Sequence, residues 1–259
     1  MRIISGEFRS RRLHTPPDDS ITRPIPDRVK ESLFGLLRGH CEGANVFDGF
    51  AGTGAIGLEA ISRGAARCVC VEQDKSVAGI LSKNVEMLGV KDRCEVVVGD
   101  ALGAGALARA PRPLTIAFLD PPYPLIQEPV GFRRVMAQMD KLIGLLSPDG
   151  FAVLRTPWPL RHAQGGAQGA AEGASPLPRA NKGRGRHDRK DWRRAKRPGP
   201  HGRVEAQAEE DLEDRGESSA QAPAKAVWTD VDLTIPSAAG PETHVYHNMA
   251  VHLYMRKKD

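Results

Sequence analysis

The sequence lacks the features typical of membrane-spanning or disulfide-rich proteins. It has only four cysteines, Cys41, Cys68, Cys70 and Cys94, with no Cys-x-x-Cys pair and no accompanying histidine cluster. No uninterrupted apolar run approaches the roughly 18 residues of a membrane span, and the opening "MRIISGEFRSRRL" carries charges too early for a signal peptide. We therefore expect reduced, buried thiols, no metal site, no membrane partner and a cytoplasmic location.

Aromatic residues are scarce as well, at 5%, and the net charge of +5 is unevenly spread. Between 161 and 225 the chain is rich in Gly, Ala, Arg and Pro, with a basic first part, an acidic second part and Trp192 as its one aromatic residue. Such a segment has too little apolar area to offset its ordering entropy. The sequence predicts a basic extension or hairpin over 1–25, one globular domain over 26–160 and 226–259, and a low-complexity, disordered insertion over 161–225.

Elsewhere, apolar strand patterns alternate with helical patterns and short connections. This order predicts an α/β fold in which helices cover both faces of a parallel sheet. After the insertion, two alternating segments, "VWTDVDLTI" and "HVYHNMAVHLYMRK", predict antiparallel strands. The first predicted strand ends at Asp48, and the following ones are 67–72, 93–100, 114–120 and 150–156. The predicted helices are 28–38, 55–63, 75–88 and 129–146.

A glycine-rich turn, "FDGFAGTGAIG", follows the first predicted strand. Glycines allow a tight turn, and the helix that follows offers free N–H groups to a nucleotide-like ligand. Glu72, at the end of the next strand, suits the two hydroxyls of a ribose, and Asp100 suits an adenine edge. With acids and no Gly-Lys-Ser/Thr near the turn, the pattern favours cationic S-adenosylmethionine over a pyrophosphate, although a ligand-free turn stays open.

The stretch "FLDPPYPL" ends the fourth predicted strand, and ligands sit at such strand ends in this fold class. The carboxylate of Asp120 and the carbonyl of Pro121 offer two acceptors to the two hydrogens of an exocyclic nucleobase amine. Holding both hydrogens frees the nitrogen lone pair for attack on a methyl group. Tyr123 offers a flat face on which the base can stack.

These motifs resemble the RsmD family, the 16S ribosomal RNA guanine-N2 methyltransferases. The stretches that carry the resemblance are "MRIISGEFRSRRL", "TRPIPDRVKESLF", "VFDGFAGTGAIGLEAISRGA", "VEQD", "NVEMLGV", "GDA", "FLDPPY" and "VYHNMAVHLY", in order over 1–158 and 226–256. The resemblance implies a Rossmann-like class I methyltransferase fold, a mostly parallel seven-stranded sheet whose last strand is antiparallel. It also implies S-adenosylmethionine as cofactor and 16S rRNA or the assembling small subunit as partner; nothing demands more than a monomer.

The resemblance also assigns roles residue by residue. The methionine end of the cofactor would be enclosed by Thr22, Arg23, Pro24 and Asp27. The rest of the cofactor would contact Asp48, Phe50, Gly52, Gly54, Glu72, Gln73, Asp100 and Ala101. The guanine would be gripped by Asp120, Pro121, Pro122 and Tyr123, and RNA phosphates would be bound by Arg9, Arg11 and Arg12.

Two positions depart from the family pattern. Gly49 stands where a larger apolar residue is usual, and Arg155 stands where an acid is common. The alternatives are a DNA adenine-N6 or cytosine-N4 methyltransferase, which needs a target-recognition region, and a catalytically silent RNA-binding assembly factor. A protein-glutamine methyltransferase would carry Asn in place of Asp120, and the missing glycine register disfavours a dehydrogenase.

Overall fold

The computed structural model describes residues 1–16, 25–164 and 227–257. The helices are α1 Asp27–Leu36, α2 Gly57–Ser62, α3 Lys75–Leu88, α4 Ala104–Arg109, α5 Tyr123–Gln127 and α6 Pro129–Gly144. The strands are β1 Asn45–Gly49, β2 Arg67–Glu72, β3 Cys94–Val98, β4 Leu114–Leu119, β5 Leu146–Pro157, β6 Arg161–Gln164, β7 Val227–Asp230, β8 Ala238–Tyr246 and β9 Met249–Arg256. None of the helices described is long and apolar enough to cross a membrane.

Seven strands form one sheet in the order β3-β2-β1-β4-β5-β9-β8. The first five are parallel, and β9 runs antiparallel to both β5 and β8. The predicted fold class is confirmed, including the antiparallel last strand. The chain moves outward from β1 to β3 and then returns to β4 on the other side of β1, so the strand order reverses between β1 and β4. Open α/β sheets bind ligands at this switch point, beyond the carboxyl ends of the strands.

Two apolar cores cover the two faces of the sheet. One contains buried side chains of α1, α2 and α3, among them Phe34, Ile61 and Leu81. The other contains buried side chains of α4, α5 and α6, among them Ile126 and Met139. The inner strands are apolar on both sides because both of their faces are covered, which explains their continuous runs in the sequence.

The first residues of the chain pack onto α2. Arg2 and Arg12 form an antiparallel bridge that closes a short hairpin. Both oxygens of Glu59 accept backbone N–H groups of this hairpin, from Ser5 at 3.0 Å and from Ile4 at 2.7 Å. The Oε2 atom of Glu59 also lies 3.0 Å from the ammonium of Lys30, and both side chains are fully buried. A buried ion pair therefore ties the hairpin, α1 and α2 together.

Several elements differ from the sequence expectations. Residues 161–164, assigned to the insertion, form β6, which pairs with β7 in a separate two-stranded sheet. At one end of this pairing, Arg161 Nε donates to Asp230 Oδ1 at 2.7 Å. The two residues are far apart in the sequence, so local composition does not indicate that they pair. The rest of the predicted insertion, 165–225, lies outside the described residues, so its disorder stays a prediction.

The last segment is a hairpin and not a single strand. β8 ends at Tyr246, and β9 begins at Met249 after a two-residue turn in which His247 has a φ of 54°. Such short turns need a positive φ, which Asn and Gly usually supply. Asp27 is the first helical residue of α1, one residue before the predicted start, and Pro26 occupies the cap position.

The four cysteines are free and buried. Cys68 and Cys70 lie on one face of β2, with their sulfurs 3.5 Å apart, and Cys94 on β3 lies 3.8 Å from Cys70. The prediction of reduced core thiols is confirmed.

Candidate active site

The glycine-rich turn after β1 lies at the carboxyl end of the sheet, beside the end of β4. Three of its residues adopt positive φ angles: Phe50 at 65°, Gly52 at 56° and Gly54 at 92°. A side chain at Gly54 would collide with Leu81 and Leu58, whereas the space around a Cβ at Gly52 is open to 4 Å. Gly54 therefore allows α2 to pack closely, and Gly52 leaves its backbone accessible to a ligand.

Asp48 of β1 lies beneath this turn and is almost fully buried, with 1% of its surface exposed. Its Oδ2 accepts the N–H of Gly57 at 2.8 Å, at the start of α2, while Oδ1 has no hydrogen-bond partner among the described residues. Burial raises the pKa of Asp48 to about 8, opposed by the Gly57 hydrogen bond and reinforced by the nearby charges of Asp120 and Glu72. A buried acceptor without a donor, among acidic groups, suits a cationic or N–H-bearing ligand.

Glu72 braces the same turn from the end of β2. Its Oε2 accepts the N–H of Gly52 at 2.9 Å, and its Oε1 accepts the N–H of Asp74 at 2.8 Å. A carboxylate has about four acceptor sites, so each oxygen can still take a hydroxyl hydrogen. Gln73 next to it is exposed. The geometry is compatible with the predicted ribose contact and adds a structural role that the sequence did not suggest.

Asp100 and Ala101 follow β3 and face the same end of the sheet. Asp100 accepts the N–H of Leu102 at 2.9 Å through Oδ1 and pairs with Arg134 of α6 at 2.9 Å through Oδ2. Ala101 is buried, and its carbonyl accepts the side-chain amide of Gln138 at 2.9 Å. The predicted adenine-binding residues are thus fastened to α6 by two side chains that motif analysis did not single out.

Asp120 follows β4 directly, and Pro121 and Pro122 lead into α5, which begins at Tyr123. The carbonyl of Pro122 accepts the N–H groups of Leu125 and Ile126 in the first turn of α5. Between the described residues no hydrogen bond uses the carbonyl of Pro121. The acceptor pair predicted for the target amine consists of this carbonyl and the Asp120 carboxylate.

Arg155 of β5 reaches the Asp120 carboxylate. Its Nε lies 2.5 Å from Asp120 Oδ1, and its guanidinium carbon lies 5.8 Å from the centre of the Tyr123 ring. Burial raises the pKa of Asp120, and the charge and hydrogen bond of Arg155 oppose that rise. Sequence reasoning noted Arg155 only as a departure, and the structure brings it into the candidate site.

The N-terminal residues predicted to contact cofactor and RNA are only partly described. Thr22, Arg23 and Pro24 lie outside the described residues. Asp27 pairs with Arg2 at 2.9 Å on the surface. The side chain of Asn84 in α3 binds the backbone of His14 through both of its polar atoms and the carbonyl of Thr53 in the glycine turn at 2.9 Å. Asn84 thus connects the chain just before the undescribed segment with the glycine turn.

The arginines predicted to bind RNA lie on the hairpin of residues 1–13. Arg9, Arg11 and Arg12 are all exposed. The hairpin turn is fixed on α2 because Glu7 donates its N–H to the Ser62 carbonyl at 2.7 Å. Its arginines therefore belong to a surface that the fold holds in place.

Comparison with known proteins places this geometry in a family. The family model described as Conserved hypothetical protein 95, which covers the RsmD proteins, matches residues 1–164. Ribosomal RNA small subunit methyltransferase D of Escherichia coli K12 is 38% identical over 151 residues, which are 58% of this chain and 69% of that protein. YlbH of Bacillus subtilis is 34% identical over 154 residues, which are 59% of this chain and 80% of that protein.

This chain belongs to the RsmD family. The resemblance predicted from the motifs is confirmed, and so is the Rossmann-like methyltransferase fold. The structure of the Escherichia coli protein yhhF superposes with a TM-score of 0.58 at 24% identity, covering 99% of this chain and 98% of that one. Membership implies a methyltransferase that uses a methyl donor.

Gly49, the first departure from the RsmD family pattern, is explained by a neighbour. A Cβ on Gly49 would lie 2.5 Å from Leu119 Cδ2 and 3.1 Å from the Phe47 ring. Leu119 is 1% exposed and belongs to the core on the α6 side of the sheet. The leucine on β4 fills the space that a larger side chain at position 49 would take, so the end of β1 is packed and not loosened.

Proposed function

We propose that this protein transfers the methyl group of S-adenosylmethionine to the exocyclic N2 amino group of a guanine in 16S ribosomal RNA. The observation that carries the proposal is the position of Asp120 and Pro121 at the end of β4, directly beside the glycine turn of β1. Asp120 N lies 3.4 Å from the Gly49 carbonyl, so the two loops meet at the switch point. The names of several relatives, ribosomal RNA small subunit methyltransferase D, support the choice of RNA.

The residues around the glycine turn fit S-adenosylmethionine. Within the described part of the chain, Asp48 Oδ1 is a buried acceptor without a partner, and Gly52 leaves open space above its backbone. Asp48 and Glu72 would receive the polar hydrogens of the cofactor, and Asp100 with Ala101 would border its base. When bound, the cofactor supplies an electrophilic methyl group on a positively charged sulfur, which the acids of the turn suit electrostatically.

The residues after β4 would prepare the nucleophile. The Asp120 carboxylate and the Pro121 carbonyl each accept one hydrogen of the guanine amine, which draws the nitrogen towards tetrahedral geometry. The nitrogen lone pair then forms the new N–C bond while the S–C bond breaks, and the surplus proton leaves the nitrogen towards Asp120 or solvent. Tyr123 is half-buried, and its ring would stack on the base.

The RNA would approach over the N-terminal hairpin. Arg9, Arg11 and Arg12 are exposed there and would contact phosphates, which position the substrate without reading its sequence. A basic, sequence-independent contact leaves the choice of nucleotide to the shape of the RNA around the site.

Labelled methyl transfer tests the proposal. Small-subunit rRNA, assembled small subunits, DNA and bulk protein are offered side by side, and the labelled product is digested to nucleosides. We expect N2-methylguanosine from 16S rRNA with the wild-type chain and none with Asp120→Asn, which keeps the shape of the side chain. Label in DNA or protein, or full activity of Asp120→Asn, would overturn the proposal.

A further inference from the structure

Arg155 stands in register with Asp120 on neighbouring parallel strands. The strand pairing places Leu119, the last residue of β4, beside Leu154 of β5. Asp120 follows Leu119 in the chain, and Arg155 follows Leu154. On its other side Arg155 pairs with Val251 of β9. Arg155 is therefore held within the sheet, and its partner Asp120 is the first residue after the neighbouring strand.

Both side chains of this pair are largely withdrawn from water, with 13% of Arg155 and 14% of Asp120 exposed. The guanidinium makes further contacts with the sulfur of Met249 at 3.8 Å and with the face of Tyr123. Removing one partner of a shielded, hydrogen-bonded ion pair leaves a costly unpaired charge. The position of Arg155 is thus determined by three neighbours and not by Asp120 alone.

The Nε–H of Arg155 uses one acceptor site, on Oδ1 of Asp120. Hydrogen bonding to one oxygen fixes the plane of a carboxylate and leaves the other oxygen free to accept from a further donor. Among the described elements, Arg155 on β5 and Asp48 below the glycine turn interact electrostatically with Asp120. The ring of Tyr123, at the start of α5, lies against the Arg155 guanidinium. Arg155 is the cation of this set, and its charge and hydrogen bond oppose the protonation of Asp120 that burial favours.

We propose that Arg155 is a positioning residue: it holds Asp120 as a carboxylate and orients it so that one oxygen is kept for the amino group of the target base. This inference rests on the proposed function, because it gives Asp120 the acceptor role described above. Arg155 itself acts through Asp120 and Tyr123. A protonated Asp120 would place a hydrogen where the base amine needs an acceptor, so activity would be lost wherever the acid is neutral.

The test is the pH profile of kcat for the wild type, Arg155→Gln and Arg155→Lys on the same RNA. For Arg155→Gln we expect kcat at neutral pH to fall about tenfold or more, with the acidic limb of the profile moved to higher pH and activity recovering as the pH rises. Arg155→Lys keeps a cation without the Nε–H group, so a smaller shift in the same direction is expected. Arg67→Gln is the matched control and should leave the profile unchanged. It removes an exposed arginine at the start of β2 that pairs with Glu95 of β3.

A loss of kcat in Arg155→Gln that is equal at every pH, or an unchanged kcat, would contradict the proposal. If Arg155→Gln does not fold, Arg155→Lys carries the test, and an unshifted acidic limb in that variant contradicts it. A carboxyl carbon NMR titration separates this inference from the proposed function, because it needs no RNA. The Asp120 signal, identified by its absence in Asp120→Asn, should titrate at higher pH in the Arg155 variants. If the wild type methylates no guanine, the proposed function fails, and the titration still decides whether Arg155 keeps Asp120 ionised.

Discussion

The ammonium of Lys30 lies 3.0 Å from Oε2 of Glu59, and neither side chain is exposed to solvent. Lys30 also donates to the Arg2 carbonyl, and Glu59 receives two backbone N–H groups and the Nε–H of Arg63 at 2.9 Å. These contacts of the pair thus reach the N-terminal hairpin and the end of α2. This buried ion pair, together with the contacts to Ser62, fixes the hairpin that carries the predicted RNA-binding arginines.

Glu59→Gln should therefore destabilise the protein strongly. The substitution leaves the buried Lys30 charge without its counter-ion, which costs about 3 to 5 kcal/mol of the free energy of unfolding. Chemical denaturation at neutral pH measures this change. Glu86→Gln removes the carboxylate of an exposed pair with Lys91 and serves as the control, for which we expect no measurable change. A Glu59→Gln variant as stable as this control would show that the pair contributes nothing.

Asp48 should make the unliganded protein less stable as the pH rises. Its pKa is about 8 in the folded chain and about 3.8 as an ordinary aspartate, so between these values the folded state holds one proton more than the unfolded state. The free energy of unfolding then falls by up to about 1.4 kcal/mol per pH unit over this window and levels off above it. Denaturation at a series of pH values measures the slope.

Asp48→Asn removes the titrating group and keeps an acceptor for Gly57, so the slope should flatten in this variant. Asp92→Asn, in the exposed turn before β3, is the control and should keep the wild-type slope. An identical slope in wild type and Asp48→Asn would mean that Asp48 is not held protonated.

His252 should make the protein less stable as the pH falls, the opposite of the effect of Asp48. It is fully buried between the hydroxyls of Thr156 and Thr243, each 2.9 Å from a ring nitrogen, and burial lowers its pKa from 6.5 to about 4. The unfolded state therefore takes up a proton first, and stability is lost as the pH falls from about 6.5 towards 4, by up to about 1.4 kcal/mol per unit. His252→Gln should remove this loss, whereas exposed His14→Gln should not; equal acid sensitivity of the two variants would refute the assignment.

Local sequence patterns were sufficient for the parallel half of the fold. Buried strands such as β2 and β4 are continuous apolar runs, and glycines mark the turns that follow β1 and α3, where Gly89 caps the helix with a φ of 70°. Patterning failed where pairing is long-range. β6 has no apolar pattern of its own, and its partner β7 comes after the insertion.

In the candidate site, too, local patterns identify single residues but not their long-range partners. Asp120 and Glu72 stand at strand ends and are recognisable from the order of strands and acids. The groups that fix them are not, because Arg155 lies 35 residues from Asp120 in the chain and reaches it only through the β4–β5 register. Asn84 likewise reads as a polar residue in a helix, although it is fully buried against the glycine turn.

Glu72 should couple the shape of the glycine turn to cofactor affinity. Its two oxygens accept the N–H groups of Gly52 and Asp74, and a glutamine can accept only one of them while its own N–H₂ opposes the other. Hydrogen bonds to a charged group contribute about 1.5 to 3 kcal/mol each, so Glu72→Gln should raise the Kd for S-adenosylmethionine about tenfold or more. Calorimetric titration with S-adenosylmethionine and with its demethylated product measures the change without RNA. Glu31→Gln, exposed on α1, is the control; an unchanged Kd in Glu72→Gln would mean that this carboxylate neither shapes the turn nor contacts the cofactor.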